Sequence, residues 1–92
     1  MKVHWTDMAL YQLQSIHDYI ACNSPYYAKR MVDRITRRSI QISQFPLSGR
    51  KVPEYDMGQI REVLEADYRI IYYIKSDGID VLAVFHGSQS IP

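Results

Sequence analysis

Ninety-two residues with 47% hydrophobic side chains and a net charge of only +1 are too apolar for a disordered chain and too short for more than one ordinary domain. A single cysteine, Cys22, excludes an internal disulfide and fits a reducing cytosol. No stretch approaches the ~18 apolar residues that span a bilayer and no cleavable leader is visible, so the expectation is one cytoplasmic domain over residues 1–92.

In chain order, Lys2-Val3-His4-Trp5 reads as a short strand. Thr6 then stands as an N-cap, with Asp7 in the first turn, where negative charge suits the helix dipole. Ala9, Leu13, Ile16 and Ile20 form one stripe of period 3.6, flanked by Leu10 and His17, and the helix should fail near Cys22-Asn23. Ser24-Pro25 is a second start signal, a capping hydroxyl followed by proline at the first helical position. Ala28, Met31, Val32, Ile35 and Ile42 mark the buried stripe of the second helix, and Lys29, Arg30, Arg34, Arg37 and Arg38 its opposite face. The short link predicts an antiparallel helical hairpin.

Pro46 ends the second helix, and the two Pro and two Gly within residues 45–58 predict a surface loop. Three β-rich runs follow at 59–66, 68–75 and 79–86, joined tightly at Ala66-Asp67 and through the hairpin turn Ser76-Asp77-Gly78. Strict alternation puts Tyr68, Ile70, Tyr72 and Ile74 on one face, and Arg69, Ile71, Tyr73 and Lys75 on the other. In the last run it sets Ile79, Val81, Ala83 and Phe85 against Asp80, Leu82, Val84 and His86.

The order strand-helix-helix-strand-strand-strand predicts an α+β fold with a helical hairpin packed on a small, mostly antiparallel sheet. The other sheet face, with Arg69, is expected to be open or covered by something outside this chain. Charge is polarised along the sequence. Residues 29–51 hold seven Lys/Arg against one Asp (net +6), whereas residues 52–92 hold three Lys/Arg against seven Asp/Glu (net −4). A chain that grips nucleic acid alone usually has a larger positive excess, because phosphate neutralisation supplies most of the affinity.

The layout resembles the RelE/ParE superfamily, the toxin halves of bacterial type II toxin–antitoxin pairs, along nearly the whole chain. The resemblance lies in Trp5-Thr6…Ala9, Tyr19-Ile20-Ala21, Ser24-Pro25…Ala28 and Phe45-Pro46…Gly49-Arg50…Val52-Pro53-Glu54. It continues through Arg61-Glu62, Tyr68-Arg69-Ile70-Ile71-Tyr72 and His86-Gly87. It implies growth arrest, with plasmid stabilisation among the family's roles, and no cofactor or metal.

Two activities divide the superfamily. RelE-like members are ribosome-dependent endoribonucleases that cut mRNA, and the resemblance then implies Arg69 as a phosphate-binding arginine and Glu54 as a catalytic carboxylate. Arg61 would supply a second positive charge for a clamp on one phosphate, and His86 a general acid or base. The alternative for Arg61 and Arg69 is a structural ion pair with Glu62, Glu65 or Asp67. ParE-like members inhibit DNA gyrase through a protein surface. The tail Gly87-Ser88-Gln89-Ser90-Ile91-Pro92 lacks the Tyr, Lys or Arg that RelE-like enzymes usually carry there, which favours the ParE-like side. Tyr26, Tyr27, Arg30, Arg34, Arg37 and Arg38 then become the candidate partner surface, since Tyr and Arg are typical interface anchors. A third possibility is an inactive module that regulates its operon.

The implied partner is a cognate antitoxin, ParD-like, with a ribbon-helix-helix or similar N-terminus and an acidic C-terminal segment. DNA would be contacted only through that partner, and the target would be gyrase or the ribosome. The groove between the hairpin and the sheet, and the exposed edge strand, are the expected docking surfaces.

Overall fold

A computed structural model of the chain describes residues 1–88. The first strand, β1 (Val3–Trp5), leads to Thr6, whose hydroxyl accepts from the Ala9 N–H at 3.2 Å and caps α1 (Asp7–Ala21). The same hydroxyl donates to the Val81 carbonyl at 2.9 Å, so one side chain starts the helix and ties it to the sheet. Ser24 caps α2 (Pro25–Gln44) by accepting from the Tyr27 N–H at 3.2 Å, with Pro25 opening the helix. A 3-10 turn (Pro46–Ser48) follows, then β2 (Arg50–Lys51), β3 (Ile60–Glu65), β4 (Tyr68–Ile74) and β5 (Ile79–His86).

The sheet order is β1-β5-β4-β3-β2, with β1 parallel to β5 and every other pair antiparallel. This is the α+β architecture expected, with the helices on one face. The core between the layers joins Ala9 and Leu13 of α1, Ile35 and Ile42 of α2, and Val63, Ile70, Tyr72, Ile79, Val81 and Val84 of the sheet. Each fully buried aliphatic side chain there stabilises by about 1.5–3 kcal/mol. Among the described residues, no helix is long and apolar enough to cross a membrane.

Three expectations need correction. Strict alternation in β5 fails. Ile71 stands opposite Ala83 but Tyr72 opposite Val81, leaving Leu82 as an extra residue in a bulge. The bulge puts Val81 and Val84 both in the helix-facing core, and Leu82, Ala83 and Phe85 all on the outer face. Second, residues 45–58 are more than a surface loop. They contain the 3-10 turn and β2, an edge strand paired with β3, and they bury Gly49 and Val52. Third, the outer face is not left to a partner: Val52 packs on Ile71 and Phe85 in a second small apolar cluster.

Gly49 explains how this segment is held. A Cβ at this position would lie 2.4 Å from the Tyr72 hydroxyl oxygen and 2.6 Å from the Glu62 carbonyl. Its absence lets the Gly49 N–H donate to the Tyr72 hydroxyl at 3.0 Å, while that hydroxyl donates to the Pro46 carbonyl at 2.6 Å. Burial pushes the Tyr72 phenol up from its usual pKa, opposed by the Gly49 N–H, so the phenol stays protonated and able to donate.

Candidate functional site

The residues singled out in the sequence divide among three places. The first is the outer face of the sheet. Arg69 lies on β4 with its guanidinium 5.4 Å from the centre of the Phe85 ring. Its Nε donates to Glu62 Oε1 at 2.6 Å, and Nη1 and Nη2 form a two-pronged contact with the Glu54 carboxylate, both at 2.9 Å. Glu62, fully buried on β3, also accepts from Arg50 Nε of β2 through its second oxygen. Two guanidinium groups therefore face two carboxylates in a closed network of zero net charge. The Arg69 hydrogen bonds hold the Glu54 carboxyl down at about 2. Reciprocally, Glu54 first and Glu62 next push the Arg69 pKa further up.

The structural ion pair weighed for Arg69 is thus present, with Glu62 from the expected set and Glu54 added to it. Arg61 differs. It alternates with Val63, which lies in the helix-facing core, and stands opposite Tyr72 of that same core. Its Nε donates to the Gly58 carbonyl and its Nη1 to the Gly49 carbonyl, both at 3.0 Å. Arg61 braces the loop backbone instead of pairing with a carboxylate. The two arginines leave opposite faces of the sheet, so this geometry does not bring Arg61 and Arg69 together as the clamp on one phosphate would need.

His86 occupies the second place, opposite Tyr68 at the end of β5, with the two rings edge to face at 5.7 Å. Its Nδ1 accepts from the Ser88 N–H at 3.2 Å and lies 2.7 Å from the Ser88 hydroxyl. The bulge has turned His86 to the helix side, where it lines a groove of about 540 Å³ with Gln12, Ile16, Tyr19 and Tyr68. Burial, and then the Asp67 charge, push the Tyr68 phenol up from its usual value. Of the four candidate catalytic residues, the fold brings together only Glu54 and Arg69. Arg61 and His86 lie across the sheet from them, at opposite ends of the cross-strand register.

The third place is α2, and it splits the candidate partner residues. At its start Tyr26 and Tyr27 pack edge to face at 5.4 Å, both 63% exposed, and Arg30 lies over the Tyr26 ring while donating to its hydroxyl at 3.2 Å. One turn further on, Arg34 and Arg38 both reach Glu65 of β3, at 2.7 and 3.0 Å. Arg37 is exposed and, among the described residues, has no such contact. Arg50 is a further member of the network without a sequence signal, because the two-residue strand β2 lies in a segment that reads as loop. Sequence reasoning missed Ile40 and Phe45, which are 61% and 64% exposed; a phenylalanine just after a basic helix face was the available signal. The residues of the tail at 89–92, singled out for lacking Tyr, Lys and Arg, lie outside the described residues.

Comparison with known proteins agrees with this architecture. The family model described as the ParE toxin of the type II toxin–antitoxin system parDE matches residues 3–91. A candidate toxin, Y4kP of Sinorhizobium fredii, is 35% identical over 96 residues, covering 99% of this chain and 93% of that one. Toxin RelE2 of Caulobacter vibrioides is 30% identical over 89 residues, covering 96% of this chain and 97% of that one. Among solved structures, a chain of the chromosomal ParDE system of P. aeruginosa shares the fold with a TM-score of 0.77, at 24% identity and with 94% and 95% of the two chains covered. The chain belongs to the ParE toxin family, within the RelE/ParE superfamily of type II toxin–antitoxin toxins.

Proposed function

We propose that this toxin arrests growth by inhibiting DNA gyrase through a protein–protein contact, and that a cognate antitoxin holds it in check. The observation that carries this reading is the state of Arg69, whose three donor nitrogens are all engaged by carboxylates. Metal-free RNA cleavage needs a base at the 2′-hydroxyl, a cation at the phosphorane and an acid at the leaving oxygen, all around one phosphate. Here a phosphate would have to displace Glu54 from a two-pronged ion pair, and Arg61 and His86 lie across the sheet. The net −4 of residues 52–92 also opposes an RNA site.

A gyrase contact asks only for a surface. Tyr26, Tyr27 and Arg30 at the start of α2 offer rigid aromatic anchors and a charge already oriented on a ring. In this reading residues 1–92 act as one cytoplasmic toxin domain. The antitoxin is ParD-like and carries the DNA-binding element. Ribosome-dependent mRNA cleavage is the competing activity.

Adding purified toxin to a gyrase supercoiling reaction and, separately, to translating ribosomes separates the two. Loss of supercoiling with intact message is expected, weakened by Tyr26→Ala and Tyr27→Ala together. Message cleavage that disappears in Arg69→Ala and His86→Gln would establish the nuclease instead.

A further inference from the structure

The second half of α2 carries a surface that the gyrase reading does not use. A shallow groove of about 450 Å³ runs between α2 and the end of β3, with Ile40 and Phe45 on its apolar side and Arg34, Arg37 and Arg38 on its charged side. Ile40 and Phe45 are left largely open to water, where covering their apolar surface would be favourable. The floor is fixed in place. Arg38 donates to Glu65 and, at 2.6 Å, to Gln41 Oε1, while Gln41 Nε2 donates to the Ser48 hydroxyl at 3.0 Å. Three arginines meet one carboxylate, so the groove keeps an excess of two positive charges, with Arg37 at the rim.

We propose that this groove binds an acidic segment of the antitoxin that bears an aromatic or long aliphatic anchor. The anchor would lie on Ile40 and Phe45, and its acidic neighbours would meet Arg37 and Arg34. The inference rests on the antitoxin partnership proposed above and is independent of which target the toxin acts on.

Charge complementarity selects this occupant over the others. A nucleic acid would gain from Arg37 but would set its phosphates against Glu65 and leave Phe45 exposed. A second copy of this chain, related by a two-fold axis, would face arginines with arginines. A segment with both carboxylates and an apolar anchor satisfies the two sides of the groove together. The ordered Arg38–Gln41–Ser48 chain also lowers the cost of binding, because the receiving side chains are already arranged.

The test is the affinity of the full-length toxin for the protein encoded by the adjacent gene, measured by titration calorimetry. Arg37→Glu and Phe45→Ser are the variants; both positions are exposed, and circular dichroism checks their folding. Each is expected to weaken the complex at least about tenfold, the size of effect that 1.4 kcal/mol produces. Tyr11→Ser, at an exposed site on α1, should stay within about twofold. Raised salt should weaken the wild-type complex more than the Arg37→Glu complex.

Affinities unchanged in both variants would overturn the docking surface while leaving the antitoxin partnership intact. Failure of the wild type to bind the adjacent protein would remove the partnership itself, and the proposal with it. Loss of a toxin homodimer in Phe45→Ser would assign the groove to a second copy. Single-stranded DNA binding that is abolished by Arg37→Glu and indifferent to Phe45→Ser would assign it to nucleic acid. Either assignment overturns the proposal.

Discussion

On the helix-covered face of the sheet, Ile70, Tyr72, Ile79, Val81 and Val84 meet α1 and α2 in a continuous apolar layer. On the outer face, three buried apolar residues, Val52, Ile71 and Phe85, share the surface with the Arg50–Glu62–Arg69–Glu54 network. The first face is held by non-directional burial, which tolerates swaps that keep volume. The second is held by directional charge pairs, which keep their worth only while every member is present. In the competing nuclease reading Arg69 would hold a phosphate on this outer face, where it pairs instead with Glu54 and Glu62.

Truncation on the apolar face should have the largest effect. Ile70→Ala removes a fully buried side chain and should cost about 4 kcal/mol, the upper part of the range for aliphatic-to-alanine changes. Ile71→Ala, across the sheet in the smaller cluster, should cost about 2 kcal/mol. Urea unfolding of both variants would measure the difference between the faces, and equal losses would erase it.

The charge network responds differently. Arg69→Ala strands the Glu62 carboxylate, which is 0% exposed, with only the half-exposed Arg50 as partner. A loss of about 3 kcal/mol is expected, because an uncompensated buried charge remains. Replacing both Arg69 and Glu62 by leucine should cost less than Arg69→Ala alone, since no buried charge is then left unpaired. A double variant less stable than the single one would show that the outer face depends on the pair itself. Arg69→Ala therefore destabilises whether or not it also acts in catalysis, and an activity assay of that variant must be read against its folded fraction.

Gly49 couples the two faces, since it sits between the Tyr72 hydroxyl and the Glu62 backbone. Gly49→Ala should cost about 2 kcal/mol by overpacking. If instead the 3-10 turn moves away, the variant should keep its stability but release Tyr72. That outcome would appear as a lower phenol pKa in an ultraviolet titration.

Much of this was legible in the sequence because the signals were local. Thr6 and Ser24-Pro25 marked helix starts that the backbone adopts. The stripes Ala9/Leu13 and Ala28/Ile35/Ile42 marked the buried faces. What escaped was set by pairing at a distance. The β5 bulge lies in the unbroken apolar run Val81-Leu82-Ala83-Val84-Phe85, where alternation carries no polar marker to fix the register. That slip carries His86 away from Arg69. Arg50 escaped because a two-residue edge strand has no periodicity to detect. Glu54 reads as an exposed loop residue, and only the fold brings its carboxylate onto Arg69.

Glu54 gives the smallest effect and the most specific signature of the outer face. Its carboxyl is held at about 2, against an ordinary value of 4.5, chiefly by the Arg69 hydrogen bonds. A depressed carboxyl pKa means that the folded state binds fewer protons than the unfolded state between those values. Stability from this group is therefore fully present above about pH 4.5 and is lost as pH falls toward about 2. Glu54→Gln should remove that contribution, lowering stability above about pH 4.5 by a modest amount, because solvent screens the half-exposed pair, and flattening the fall below it. The carboxyl shift followed by NMR against pH supplies a direct reading. A Glu54 midpoint near 4.5 would mean that the loop carboxylate stands free of Arg69 in solution. The guanidinium would then be open to a phosphate, and the contrast between a closed outer face and a nuclease site would fail at the residue on which it rests.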